Sequence, residues 1–222
     1  MNLLLIETSS INCSVAVSRN HTILSCVEKQ EVNIHAGSIT LFIEQALREA
    51  GISLEEIDAV AVGKGPGSYT GLRIGVSTAK GLCYALNKPL IACNSLETIY
   101  IEAKEKQNED AIYCPLIDAR RMEVYTCLYD AMGTQISEIN AVVVNDDTFK
   151  EILNTSPVIF FGDGTSKLKP MYEHLPNASF IDHLYPSAKN MLASAIQKFE
   201  AFTFEDVAYF EPFYLKEFYF NK

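Results

Sequence analysis

At 222 residues, with 48% hydrophobic and 21% charged side chains, the chain has the make-up of a soluble globular protein. It is long enough for one large domain or two small ones. Eighteen Lys and Arg against 28 Asp and Glu leave a formal net charge of −10, which argues against strong nucleic-acid binding by the chain alone, because that affinity rests on cations neutralising phosphates.

In chain order, residues 3–7, 13–18 and 22–28 read as three strands parted by polar turns. A helix is expected over 36–50, with Ile39, Phe42, Ile43, Ala46 and Ala50 along one face and Gly51 placed to end it. A strand over 59–62, a helix over 71–86, a strand over 90–93 and a helix over 95–106 complete a first half. The order then repeats. Strands are expected over 112–118, 123–129 and 138–144, then a short helix over 147–153, a strand over 158–161 and a helix over 167–174. A short strand near Phe180 and a helix over 188–199 close the pattern. Each half reads βββαβαβα, an α/β order of mixed sheets covered by helices. The polar run 104–110 (KEKQNED) is the boundary candidate, dividing the chain into 1–106 and a smaller half, 107–222.

The most informative stretch is 62–75 (VGKGPGSYTGLRIG), where an apolar strand ends in a glycine-rich turn and opens a helix of small residues. Glycine lets the backbone turn sharply and approach a neighbour closely, and a helix N-terminus offers N–H groups to an anion. The spacing contains no G-x-x-x-x-G-K-[ST], and a G-x-G-x-x-G frame from Gly63 ends on Ser68. A phosphate-facing loop and a packed strand–helix junction both fit. Six cysteines without a CxxC sit in apolar runs, as reduced buried thiols do, and four histidines form no H-E-x-x-H or H-x-x-x-H. No metal and no other cofactor is expected. Residues 1–6 lack a basic stretch and have too short an apolar run for a signal peptide or membrane span, so a cytoplasmic protein without membrane contact is expected.

With 4–10 (LLIETSS), 13–17 (CSVAV), 79–82 (AKGL), 94–97 (NSLE), 118–125 (DARRMEVY), 162–164 (GDG) and 211–216 (EPFYLK), this stretch resembles the TsaB (YeaZ) family of bacterial tRNA threonylcarbamoyladenosine synthesis. The segment GKGPGSYTGLRIGVSTAKGL is specific to that family and its close relatives; the others are weak singly. The resemblance implies two ribonuclease-H-like, actin-like halves of the sugar-kinase/Hsp70/actin architecture. It also implies a non-catalytic subunit that pairs with the catalytic TsaD, works with the ATPase TsaE, reaches tRNA only within the complex, and forms homodimers in isolation.

In that architecture Glu7 and Asp118, ending the first strand of each half, would face a nucleotide cleft with Ser9, Gly65, Gly67, Gly162 and Gly164. Magnesium takes one or two carboxylates plus phosphate oxygens, so the set is chemically sensible. Equally, both carboxylates suit remnants that brace adjacent turns, and glutamate replaces the aspartate most ATP-using relatives carry at position 7. A small ATP-dependent phosphotransferase of the same fold is the alternative function. TsaD-type proteins carry a metal-binding H-x-x-x-H where this chain has Ser95 and Ile99, so metal-centred chemistry and a metallopeptidase activity are not expected.

Gly71, Gly75 and Ala79 recur every four residues and form a stripe that lets another element come close, with Ile74, Thr78 and Leu82 flanking it. The stripe suits packing on the protein's own sheet. The resemblance implies instead that these residues, with Ile39, Phe42, Ile43 and Ala46, dock the partner. The aromatic tail holding Phe210, Phe213, Tyr214, Phe218, Tyr219 and Phe220 is expected to fold back, with partner docking as the alternative. Arg120–Arg121, the one adjacent arginine pair, reads as a solvated hairpin turn or a local basic patch.

Overall fold

A computed structural model describes residues 1–31 and 35–216. The described chain forms two compact units, residues 1–98 with 186–213, and residues 99–185 with 214–216. In the first unit, β1 (Asn2–Glu7), β2 (Asn12–Arg19) and β3 (Thr22–Gln30) make an antiparallel meander. Helix α1 (His35–Ala50) follows, then β4 (Ala59–Gly65), α2 (Tyr69–Leu86) and β5 (Leu90–Asn94). The sheet order is β3-β2-β1-β4-β5, with β1, β4 and β5 parallel.

Strand β1 is apolar at every position from Leu3 to Ile6 because both its faces are covered. Leu4 and Ile6 join Val15, Val60, Ile39, Ile43 and Val76 on the side of α1 and α2. Leu3 and Leu5 join Ala59, Ile91, Met191 and Ala195 on the other. The second cover is a 3-10 turn (Ala188–Met191) running into α6 (Leu192–Glu200). This departs from the expected division at 106/107. An amphipathic helix goes where an apolar sheet face is uncovered, and residues 186–213 belong with the first sheet.

Helix α3 (Ser95–Lys106) starts in the first unit and continues in the second. There β6 (Ile112–Asp118), β7 (Glu123–Thr126) and β8 (Asn140–Val143) form a second meander, followed by α4 (Lys150–Thr155), β9 (Val158–Phe161), α5 (Thr165–Tyr172) and β10 (Ala178–Ile181). The order β10-β9-β6-β7-β8 matches the first sheet strand for strand. Cys114, Leu116, Val124, Phe149, Phe160 and Tyr172 lie in its core. Two such five-stranded mixed sheets of one order, each with its helices, are the two-half architecture that the resemblance implies.

Two boundaries differ from expectation for identifiable reasons. The strand expected to reach residue 129 ends at Thr126 near Pro115 of β6, which has no N–H for the ladder. Pairing resumes at Tyr113 and Tyr129, which exchange two 2.9 Å hydrogen bonds. Helix α2 begins at Tyr69 rather than Gly71, because Ser68 caps it by accepting from the Gly71 N–H.

Glycine decides how α2 is seated. A β-carbon at Gly71 would stand 2.1 Å from the Thr8 carbonyl oxygen, and one at Gly75 would stand 2.2 Å from Thr8 Oγ1. Thr8 Oγ1 donates to the Gly71 carbonyl at 2.8 Å, closing the contact. Gly81, on the same helix, faces open space. Gly71→Ala should therefore destabilise the protein by about 2–3 kcal/mol, while Gly81→Ala should stabilise it by about 0.5–1 kcal/mol. Urea unfolding of the two variants checks the contrast.

Candidate functional site

The β1–β2 turn, residues 8–11, is where the chemistry expected of the first unit gathers. The Glu7 carboxylate is fully buried, accepting from the Ser9 N–H at 2.7 Å and from the Ser95 hydroxyl at 3.0 Å. Gly63 on β4 leaves room for it, since a β-carbon there would lie 2.3 Å from Glu7 Oε2. Burial pushes this carboxyl above its ordinary value, outweighing the Ser9 and Ser95 bonds that favour the ionised form. The carboxylate is thus turned inward, with both oxygens engaged by donors of the same unit.

The glycine-rich loop is used in the same way. Ser68 N–H donates to the Ser9 carbonyl at 2.6 Å, and a β-carbon at Gly67 would meet that oxygen at 2.2 Å. Gly65, at φ +102°, abuts Leu72 and the Phe213 carbonyl, and the Phe213 N–H donates to Lys64 O at 2.8 Å. The loop donors at Ser68 and Gly71 are thus engaged within the protein. The tail folds back along α2 through residue 213, with Lys80 Nζ donating to the Ala208 and Phe210 carbonyls. Phe218, Tyr219 and Phe220 lie outside the described residues.

In the second unit Asp118 ends β6 and accepts from the Arg120 N–H at 2.6 Å, with Lys167 Nζ at 3.1 Å. The turn 162–164 is joined to the same strand. Gly164 N–H donates to Leu116 O, Gly162 at φ +110° has no room for a β-carbon beside that oxygen, and Asp163 accepts from the Asp118 N–H. Burial pushes the Asp163 carboxyl up to about 6, with the neighbouring Asp118 charge adding to the rise. Sequence reasoning singled out the glycines of GDG and missed the aspartate between them; a carboxylate flanked by two glycines next to a buried strand was the available signal. It also missed Ser95 as the partner of Glu7, Lys167 as the partner of Asp118, and Gly63.

Ser95 and Ile99 stand where the resemblance places two metal-binding histidines. The Ser95 hydroxyl already donates to Glu7 and Ile99 is fully buried, so neither fits a transition metal. The buried thiols Cys13, Cys93 and Cys114 are pushed up to about 11, 12 and 12, which keeps them protonated and weakly nucleophilic.

The expected partner face needs correction. Ile39, Ile43, Ala46, Gly71, Gly75 and Ala79 are buried inside the first unit, where the helices pack on their own sheet. Phe42, Ile74, Thr78 and Leu82 keep partial exposure, and Leu41, passed over in the sequence, is 60% exposed on α1. The periodic stripe marked the side of α2 that meets Thr8, and the outward side is the next one round.

Comparison with known proteins adds the family. A family model described as "TsaD: tRNA N6-adenosine threonylcarbamoyltransferase" matches residues 29–217. The tRNA threonylcarbamoyladenosine biosynthesis protein TsaB of Escherichia coli is 30% identical over 97% of this chain and 95% of its own length. The chain belongs to the TsaB (YeaZ) family. The Bacillus subtilis TsaB is 33% identical over 78% of the chain and 76% of its own. A Pseudomonas aeruginosa structure described as similar to peptidase YEAZ superposes with a TM-score of 0.82 at 26% identity, covering 97% of this chain and 99% of that one. In this chain the two strand-end carboxylates each accept a backbone N–H two residues on. No helix among the described residues is long and apolar enough to cross a membrane.

The two raised carboxyls set a pH dependence. In the unfolded chain both ionise near pH 4 to 4.5, whereas the folded protein holds their protons to higher pH. The folded state then binds more protons, so stability falls as pH rises through that window. For Asp163 the loss between pH 4 and 6 is up to about 3 kcal/mol. Asp163→Asn should flatten that decline. Glu7→Gln, whose amide can accept from Ser9 N–H and donate to Ser95 Oγ, should remove its own share and leave the protein folded. Urea unfolding at a series of pH values from 4 to 8 reads both.

Proposed function

We propose that this chain is a non-catalytic subunit of the machinery that adds the threonylcarbamoyl group to the adenosine 3′ of the anticodon in tRNAs. It pairs with and activates a TsaD-type catalytic subunit, a TsaE-type ATPase joins the pair, and tRNA is engaged only within that cytoplasmic complex. Family membership supports the pathway. The observation that carries the non-catalytic role is Glu7, buried and committed to Ser9 and Ser95, beside a glycine loop whose donors at Ser68 and Gly71 are spent on the protein itself. An ATP-dependent phosphotransferase would need those groups free for magnesium and phosphate.

The partner surface is the outward side of α1 and α2, where Leu41, Phe42, Ile74, Thr78 and Leu82 leave apolar area facing solvent. In isolation the same side joins two copies of the chain. Thr78 is the cleanest probe, being small, polar and half-buried, so an arginine there leaves the core alone. At a packed interface an unpaired charge costs about 3 kcal/mol or more, a loss of at least about 100-fold in affinity. Thr78→Arg should fold normally by circular dichroism and fail to form the heterodimer on size exclusion with a TsaD-type subunit. Normal pairing by the folded variant would place the interface elsewhere.

A further inference from the structure

The β6–β7 turn carries a feature that bracing the sheet does not require. Arg120 and Arg121 both take left-handed backbone angles, φ +73° and +50°, where glycine or asparagine fits with least strain. Four bonds to backbone N–H groups pin the turn there: Arg120 to Asp118 Oδ1, Ala119 to Glu123 O, Glu123 to Arg120 O, and Val144 to Met122 O. Both arginines are exposed.

The surrounding charges are already matched. Asp118 is taken by Lys167 and Glu123 by Lys216, and Asp163 accepts from the Asp118 N–H, so none of the three is ion-paired with the turn's own arginines. Lys106, Lys150 and Lys169 pair with Glu102, Asp147 and Asp182, and Lys104 lies on the Tyr113 ring. Among the described residues of the second unit, only Arg120 and Arg121 are basic side chains of the Lys/Arg type left without an ion pair, hydrogen bond or ring contact; Arg120 acts on Asp163 through its field alone.

We propose that this turn is a phosphate-binding point for RNA: the Arg120 and Arg121 guanidiniums contact the phosphodiester backbone of the tRNA held by the complex. The inference rests on the function proposed above, which supplies the polyanion. A chain of net charge −10 repels RNA over most of its surface, so any contact must come from unspent cations held at one place. The guanidinium fork matches two phosphate oxygens, and a turn already pinned loses little freedom on binding. An acidic protein surface would take the same two forks, so the test must separate it from RNA.

The test compares wild type, an Arg120→Asn/Arg121→Gly double variant that suits the left-handed turn, and an Arg120→Lys/Arg121→Lys variant that keeps the charge. Each is mixed with the TsaD-type subunit, and binding of a tRNA transcript is followed by fluorescence anisotropy at several salt concentrations. The neutral variant should bind about tenfold more weakly, with the slope of log K against log[salt] reduced by about 1.5, and the lysine variant should recover most of that slope. An unchanged slope in the neutral variant overturns the inference. So does a loss of heterodimer with intact tRNA affinity, which would assign the turn to an acidic protein. If wild type itself does not pair with the subunit, the proposed function fails, and the same titration of the chain alone at low salt decides the arginines separately.

Discussion

The first unit depends on one close approach: the β1–β2 turn lies directly against the glycine loop and the first turns of α2. Gly63, Gly67, Gly71 and Gly75 each face Glu7, Thr8 or Ser9 at a distance no β-carbon could occupy. Backbone packed on backbone brings polar groups together, and each must find a partner where water is excluded. Thr8 Oγ1 therefore donates to Gly71 O, Ser68 N–H donates to Ser9 O, and Glu7 accepts from Ser9 and Ser95. Groups that in a phosphate loop would point at a ligand here point at one another. The glycines that make the motif look like an anion site are the same glycines that close it.

Much of this fold was legible in the chain because the signals were local. Continuous apolar runs gave the central strands, period-3.6 faces gave α1 and α2, and the repeated element order gave two sheets of one topology. What escaped was whatever depends on residues far apart in sequence. An apolar face on α6 says that it is covered, not that the first sheet covers it. Ser95 lies 88 positions from Glu7, and nothing local in NSLE reveals the bond. Pro115 cannot donate to a ladder, yet it is β7, the strand beside it, that shortened.

The stripe on α2 shows the same limit in chemical form. Small residues every four positions specify that something comes close, and they carry no information about what. Here the neighbour is Thr8 of the same unit, so the stripe is interior and the outward side is set by Leu41, Phe42, Ile74, Thr78 and Leu82. A docking surface on a two-helix layer has to be found from the side opposite the tightest packing, and the amphipathic pattern of each helix alone does not separate the two sides when glycine lines one of them.

The topological repeat sharpens what the two strand-end carboxylates do. Glu7 and Asp118 end equivalent strands, and each is followed by a turn that its carboxylate holds by accepting a backbone N–H two residues on. Their surroundings then diverge. Glu7 is fully buried and partnered by neutral donors, so its charge is disfavoured and the turn beyond it is sealed under α2. Asp118 is partly exposed and ion-paired with Lys167 at 3.1 Å. Lys167 takes the carboxylate at the base of this hairpin, so the tip arginines are not drawn back onto it. One half of the molecule has thus closed the strand-end turn into its core, while the other has kept it at the surface, pinned by backbone hydrogen bonds and bearing two arginines that have no ion pair among the described residues.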